Sequence, residues 1–278
     1  MTATEVNEYN CGLLSAMNRV PSVVGLVFLL LIEVTPSVFA QENLHFSVDR
    51  PGISDYPTIV PKGWLQLETG LEWYQHDDHR SLLLPTMLVR TAISKRIEVR
   101  MTNRFLRVDS AQEANPHDTY FYYGSAEIKA LLIREKGLRP ATAVMAGYSL
   151  TPATVQALKG PLWGNNIMLL MENNLHDQVL FNYNIGYIWN GYSGKSSAMY
   201  SFTFEIELST VAAIFIEQSS FYNHGEKDDH WINLGYTHLE AKHSQFDFSM
   251  GLSFNGGSQD YFFAVGYSTR IALRKELN

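Results

Sequence analysis

Residues 244–271 limit most tightly what this chain can fold into. Phe246, Phe248, Met250, Leu252 and Phe254 occupy every second position, and Gln245, Asp247, Ser249, Gly251 and Ser253 fill the gaps. A period of two belongs to a strand with one oily and one polar face. After Asn255-Gly256-Gly257-Ser258 the pattern resumes, with Phe263, Val265, Tyr267 and Ile271 set against Ala264, Gly266, Ser268 and Arg270. The two runs form a β-hairpin. A soluble sandwich and a membrane barrel can both contain such a hairpin. The bulk of its apolar face, opposite Gly and Ser, suits lipid outside and a crowded or wet lumen inside.

The remaining sequence favours the barrel. The 278 residues are 46% hydrophobic and 13% aromatic, yet 18% are charged and the mean hydropathy is −0.11. That is too polar for a helical membrane protein, whereas a barrel spreads its apolar residues over alternate positions. Strand patterns recur from residue 64 to the C-terminus. Leu65, Leu67, Leu71 and Trp73 face outward against Gln66, Glu68, Gly70 and Glu72. Further strands run over 82–93, with Pro85 an awkward ladder member, and over 97–108, 120–133 and 141–150. Residues 166–174 are apolar on both faces and read as the least regular strand.

The next two patterns are clean: Val179, Phe181, Tyr183, Ile185, Tyr187 and Trp189 face outward, as do Tyr200, Phe202, Phe204, Ile206 and Leu208. Strands at 211–221 and 231–239 and the hairpin bring the count to twelve. An even number lets the chain start and finish on one side of the membrane. The expected fold is therefore an all-β, antiparallel, up-and-down transmembrane barrel of about 12 strands over residues 63–272. Trp73, Trp163, Trp189 and Trp231 are expected near the outer rim, in an aromatic girdle. Residues 273–278 read as a short charged tail.

Residues 20–32 form an apolar run shorter than the ~20 residues of a membrane helix, and Val38-Phe39-Ala40 follows it. Residues 1–40 read as a leader with a signal peptide cleaved after Ala40, translation starting at Met17. Its removal takes away Arg19, Glu5, Glu8 and Glu33, so the mature charge is 20 − 25 = −5. There is no basic excess for nucleic acid. The single cysteine, Cys11, lies before the apolar run, so the mature chain holds no disulfide and no thiol site. Residues 41–62, marked by Pro51, Pro57 and Pro61, read as a segment on the periplasmic side or folded into the barrel mouth.

With these residues in view, the chain resembles the outer-membrane family named for the MetA pathway of phenol degradation. The matching stretches include Asp49-Arg50-Pro51, Val60-Pro61-Lys62-Gly63, Gln66-Leu67-Glu68-Thr69-Gly70, Ile97-Glu98-Val99-Arg100, Ile128-Lys129, Leu138-Arg139-Pro140, Glu217, Gln245-Phe246-Asp247 and Gly266-Tyr267-Ser268-Thr269-Arg270. The resemblance implies an outer-membrane barrel described as a transporter and linked by name to aromatic or other apolar compounds. Unlike members that finish near the Gly-x-Ser-x-Arg strand, this chain continues past Ile271.

The candidate site is the set of ionisable residues on inward faces: Glu68, Glu72, Arg90, Glu98, Arg100, Arg104, Glu127 and Lys129. In a narrow lumen they would form either a salt-bridge brace, since unpaired buried charge is costly, or a polar constriction that selects solutes. Glu205, Glu207, Glu217 and Asp247 make the opposite wall acidic, with Arg270 as the expected counter-charge. The function expected is passive passage of small apolar or aromatic solutes. The alternative is a closed, salt-bridged structural or interaction barrel.

An outer-membrane lipid-modifying enzyme is a third reading, with Ser219, Ser220 and His224 near a rim as its candidates. No catalytic residue, cofactor or metal is assigned, because His76-Asp77-Asp78-His79 and residues 224–230 read as solvated outer loops. The expected partners are outer-membrane lipid, lipopolysaccharide, the barrel-assembly machinery and small solutes. The expected location is the outer membrane of a Gram-negative-type cell.

Overall fold

The computed structural model describes residues 46–75, 80–109, 119–151, 162–190, 195–225, 227–254 and 260–273. Residues 1–45, which include the expected leader, residues 76–79, residues 255–259 and residues 274–278 lie outside them. The described residues hold twelve antiparallel strands: β1 (Trp64–Gln75), β2 (Arg80–Ala92), β3 (Ile97–Asp109), β4 (Thr119–Ile133), β5 (Ala141–Thr151), β6 (Leu162–His176), β7 (Val179–Asn190), β8 (Lys195–Ser209), β9 (Ala212–Asn223), β10 (Asp229–Ala241), β11 (Ser244–Ser253) and β12 (Tyr261–Ala272). Each pairs with its sequence neighbours, and β1 pairs with β12 in a register running from Trp64↔Ala272 to Gln75↔Tyr261, which closes the barrel.

Closure gives every strand two partners and leaves no free edge. Several strands run longer than their hydropathy alternation, most clearly β6 at Leu162–His176 against the expected 166–174. Pairing continues into the rims, where neither face is forced to be apolar. β2 carries a register shift between Leu83 and Thr86. Pro85 lies within it and, having no N–H, cannot serve an ordinary ladder position.

The outward face explains the oily half of each pattern. Leu71, Met101, Ile128, Ile185, Phe202, Phe204, Ile214, Ile216, Leu234, Leu252 and Val265 are all exposed and lie in one band around the barrel. So continuous an apolar belt has no stable home in water and fits lipid. At the end away from the start of β1, the far end, Trp73 packs with Tyr261 and Phe263, and Trp189 with Tyr187. Trp231 departs from the expected girdle. It is buried on the inward face against Phe262 and Tyr74, because it shares the parity of Asn233.

Glycines on inward faces mark where side chains from elsewhere must lie flat. A Cβ on Gly235 would strike the Phe215 ring, one on Gly251 the Phe262 ring, and one on Gly147 the Glu127 side chain. Folding these groups against the wall keeps the barrel axis free for another part of the chain.

Candidate functional site

That part is residues 46–63, a loop that enters the lumen from the end where β1 begins, crosses it and returns. Phe46 sits under Arg270, whose guanidinium carbon is 4.9 Å from the ring centroid. Gln66 Nε2 donates to the Ser47 carbonyl at 2.8 Å, and the Asp49 and Arg50 N–H groups donate to Glu68 at 3.0 and 3.1 Å. The chain then crosses at Pro51-Gly52. On the opposite wall the Ile53 and Ser54 N–H groups each donate to Glu217 at 2.8 Å. Ser54 Oγ lies 2.8 Å from both Ser201 and Thr203.

The Asp55 N–H donates to Asn184 Oδ1 at 2.8 Å, its carbonyl accepts from Asn182 and Asn184, and the Tyr56 hydroxyl donates to Glu205 at 2.7 Å. On the return, Lys129 Nζ donates to the Tyr56 carbonyl at 2.8 Å, Arg90 to the Thr58 carbonyl at 3.2 Å, and the Val60 N–H donates to Glu98 at 2.8 Å. The loop turns into β1 at Gly63, whose φ of 89° favours glycine.

A plug without a ladder of its own must find side-chain partners for its buried backbone groups. This explains why Glu, Asn, Ser and Thr stand at inward positions of β1, β3, β7, β8 and β9. They are the plug's hydrogen-bonding surface.

The ionisable residues converge on one plug atom. Asp49 Oδ2 lies 2.8 Å from Arg100 Nη1, 3.1 Å from Arg90 Nη1 and 3.4 Å from Lys129 Nζ. Arg90 also pairs with Glu68 at 2.8 Å and Glu98 at 2.9 Å, and Arg100 with Asp55 at 2.8 Å and Glu127 at 3.6 Å. Burial alone would raise the Asp49 carboxyl, but Arg90, Lys129 and Arg100 together hold it well below the usual carboxylate range. Asp55 differs: burial, only partly offset by Arg100, pushes its carboxyl up to about 6. Among the sequence-derived residues, Glu68, Arg90, Glu98, Arg100, Glu127 and Lys129 form this network. The plug carboxylates Asp49 and Asp55 complete it.

Arg50 makes a second anchor. Its Nη1 donates to Glu72 and to Thr86 Oγ1, both at 2.8 Å, while Asp247 stands 3.8 Å from Nη2. Gly70 and Gly266 are paired across β1 and β12, and a Cβ at either would collide with this guanidinium. Three separated stretches of the resemblance, around Arg50, Gly70 and Gly266, thus meet at one point.

The expected role of Arg270 is corrected. Its side chain donates to Gln66 Oε1 at 2.7 and 3.0 Å and stacks on Phe46. Glu217 is met instead by plug N–H groups and Asn233, Glu205 by Tyr56, and Asp247 by Arg50. The cross-lumen loop supplies these partners, and the alternation pattern carries no signal for it. Glu207 is exposed near the end of β8 and stands outside the network. Ser219 faces the lumen and Ser220 faces outward, its Oγ 2.8 Å from His230 Nδ1 and receiving a bond from Gln218 at 2.7 Å. His230 pairs with Ser220 across β9 and β10, so the outward Ser–His contact uses a different histidine from the His224 considered in the sequence.

Above the plug, toward the far end, lies a cavity of about 560 Å³ with two unlike walls. Arg100, Arg104, Glu72, Glu127, Thr102 and Ser125 line one side. Met145, Met168, Met199, Ile188 and Phe221 line another, continued by Trp231, Phe262 and Ala264. The inward apolar residues of β5, β6 and β8 explain why residues 166–174 are apolar on both faces: Met168 and Leu170 join Ala143, Met145 and Met199 in a buried cluster inside the lumen.

A closed antiparallel barrel with an apolar outer belt, an internal plug and a polar lumen defines the outer-membrane barrel class. The chain belongs to the family described as the MetA-pathway of phenol degradation, which it matches over residues 48–271. In fold it is similar to an outer membrane channel from Pseudomonas putida F1, at 12% identity and a TM-score of 0.58 over 81% of this chain and 100% of that one. It is also similar to the NanC porin, at 8% identity and a TM-score of 0.51 over 74% of this chain and 100% of that one. No curated protein matches the sequence.

Proposed function

We propose that this protein is an outer-membrane channel through which small, mainly apolar or aromatic solutes cross passively, with residues 46–63 as the element that restricts passage. The observation that carries this reading is the two-walled cavity above the plug. A buried methionine and aromatic surface has no structural need to stand beside an ionised wall in a lumen, whereas a solute with an apolar body and one polar group uses both. The exported leader, lipopolysaccharide contact and delivery by the barrel-assembly machinery belong to this same reading. The ionic network serves first to hold the plug and thereby sets selectivity.

The test uses a plug that can be locked. Ser54 Oγ and Ser201 Oγ are 2.8 Å apart, and the single cysteine of the sequence, Cys11, lies in the leader. The mature S54C/S201C protein, refolded into liposomes, should take up toluene or benzyl alcohol when reduced and lose most of that uptake when oxidised. Equal uptake in both states, matching protein-free liposomes, would support a closed structural barrel. Ser219 and Ser220 are both buried, and the Ser220 hydroxyl is engaged by His230 and Gln218, which favours the channel over the lipid-modifying reading.

A further inference from the structure

The plug's Ile53 packs against the cluster formed by Ala143, Met145, Met168, Leu170 and Met199, with Ile188 and Phe221 at its margin. The same three methionines, with Ile188, Phe221 and Ile53 itself, line the cavity above the plug. We infer that this cluster is a binding subsite for the apolar part of a small uncharged solute, and that Ile53 is its built-in competitor, so that solute and plug tip contend for one surface. This rests on the channel reading above and adds the subsite and the residue that governs it.

Three features support the assignment. First, the cluster sits on inward faces, where neighbouring inward positions of β7, β8 and β9 carry Asn182, Asn184, Ser201, Thr203 and Glu217; a wholly apolar patch interrupts that polar wall where it opens onto free volume. Second, methionine side chains are flexible and polarisable and receive rings of varied shape. Gly186 makes room for two of them, since a Cβ there would come within 2.8 Å of Met168 Cγ and 3.3 Å of Met199 Cγ.

Third, Ile53 is held on the cluster by polar bonds at its own N–H and at the two residues that follow it. Its own N–H and that of Ser54 donate to Glu217, and the Asp55 N–H donates to Asn184. Its side chain is therefore presented to the methionines by fixed backbone bonds. A solute that takes the surface from Ile53 leaves the tip tethered by polar contacts alone.

The test reads the subsite directly, independent of transport. Refolded mature protein carrying ¹³C-methyl methionine is titrated with toluene, and the Met145, Met168 and Met199 signals are compared with the lipid-facing Met101 and Met250. Saturable shifts at the three lumen methyls, distinct from the linear drift of the lipid-facing pair, are expected. In I53A the half-saturation concentration should fall roughly tenfold, because a competing apolar side chain is gone. In I53W the larger tip should abolish the saturable shifts.

Shifts confined to linear drift at all five methyls, or identical titrations in wild type, I53A and I53W, would overturn the inference. Saturable shifts without liposome uptake would leave the subsite standing and overturn the channel reading. Uptake with no response at the lumen methyls would do the reverse.

Discussion

Gly70 of β1 faces Gly266 of β12 across the closing seam of the barrel, and the space their side chains would fill holds the guanidinium of Arg50. The seam is thus a seat for the plug. Arg50 lies in it between Glu72 at 2.8 Å and Asp247 at 3.8 Å.

Alanine at Gly266 should displace Arg50 and loosen the plug while the barrel still closes. A Cβ there would come within 2.8 Å of Arg50 Nε and would also crowd Asp247, and overpacking of this kind costs about 1–3 kcal/mol. Urea unfolding of the refolded protein is expected to report that loss. In an R50A background the same change should cost less, since one of its two clash partners is absent and Asp247 is free to move, and the non-additivity of the double-mutant cycle is the diagnostic result.

Glu217 is a backbone receptor for the plug. It accepts N–H groups from Ile53 and Ser54 and the Asn233 amide at 2.7 Å. Glu217→Gln places an NH₂ group among donors and leaves plug N–H groups unmet, at about 1–3 kcal/mol for each buried group so stranded. The expected result is faster solute uptake with the barrel retained. Circular dichroism separates this from global misfolding.

Two glutamates at inward-parity positions should behave oppositely. Glu98 is enclosed, pairs with Arg90 at 2.9 Å and receives the Val60 N–H. Removing one partner of such a buried pair costs about 3–5 kcal/mol. Glu207 is exposed, and its change to glutamine should stay within about 0.5 kcal/mol of zero. Thermal melting of E98Q and E207Q reads both.

Asp55 should give the plug a pH dependence. Burial raises its carboxyl from 3.8 to about 6 in the folded protein, so the folded state binds the proton more tightly than the unfolded chain. The associated stability is fully present below about pH 4 and is lost as pH rises through about 6. Asp49, held far lower, stays ionised across that window. The unfolding free energy of wild type relative to D55N should therefore fall from about pH 4 to about pH 6, by on the order of 3 kcal/mol, then level off. A difference that stays constant with pH would count against a proton on Asp55.

The barrel was legible because lipid and lumen impose opposite demands on alternate residues. Hence Phe246 to Phe254 and Tyr200 to Leu208 declare their faces one residue at a time. Inward charges such as Glu68, Arg90 and Lys129 were legible for the same reason. Their partners were not. Asp49, Arg50 and Tyr56 lie in a proline-marked stretch with no period, and whether that stretch sits below the barrel or inside it depends on the fit of its backbone to side chains that are distant in sequence.

The methionine cluster was obscured for a related reason. Apolar residues on both faces of β6 weaken the alternation where the lumen itself becomes apolar, so the patch proposed to receive a solute reads in sequence only as an irregular strand. The sequence by itself determined the strands, their inward faces and the closed antiparallel order, because each follows from local periodicity in a two-solvent environment. Tertiary structure alone decided that Arg50 is seated over Gly70 and Gly266, that Asp49 gathers three cations, and that Ile53 rests on the methionines. Those contacts join residues up to about two hundred positions apart, and only the closed barrel brings them within bonding distance.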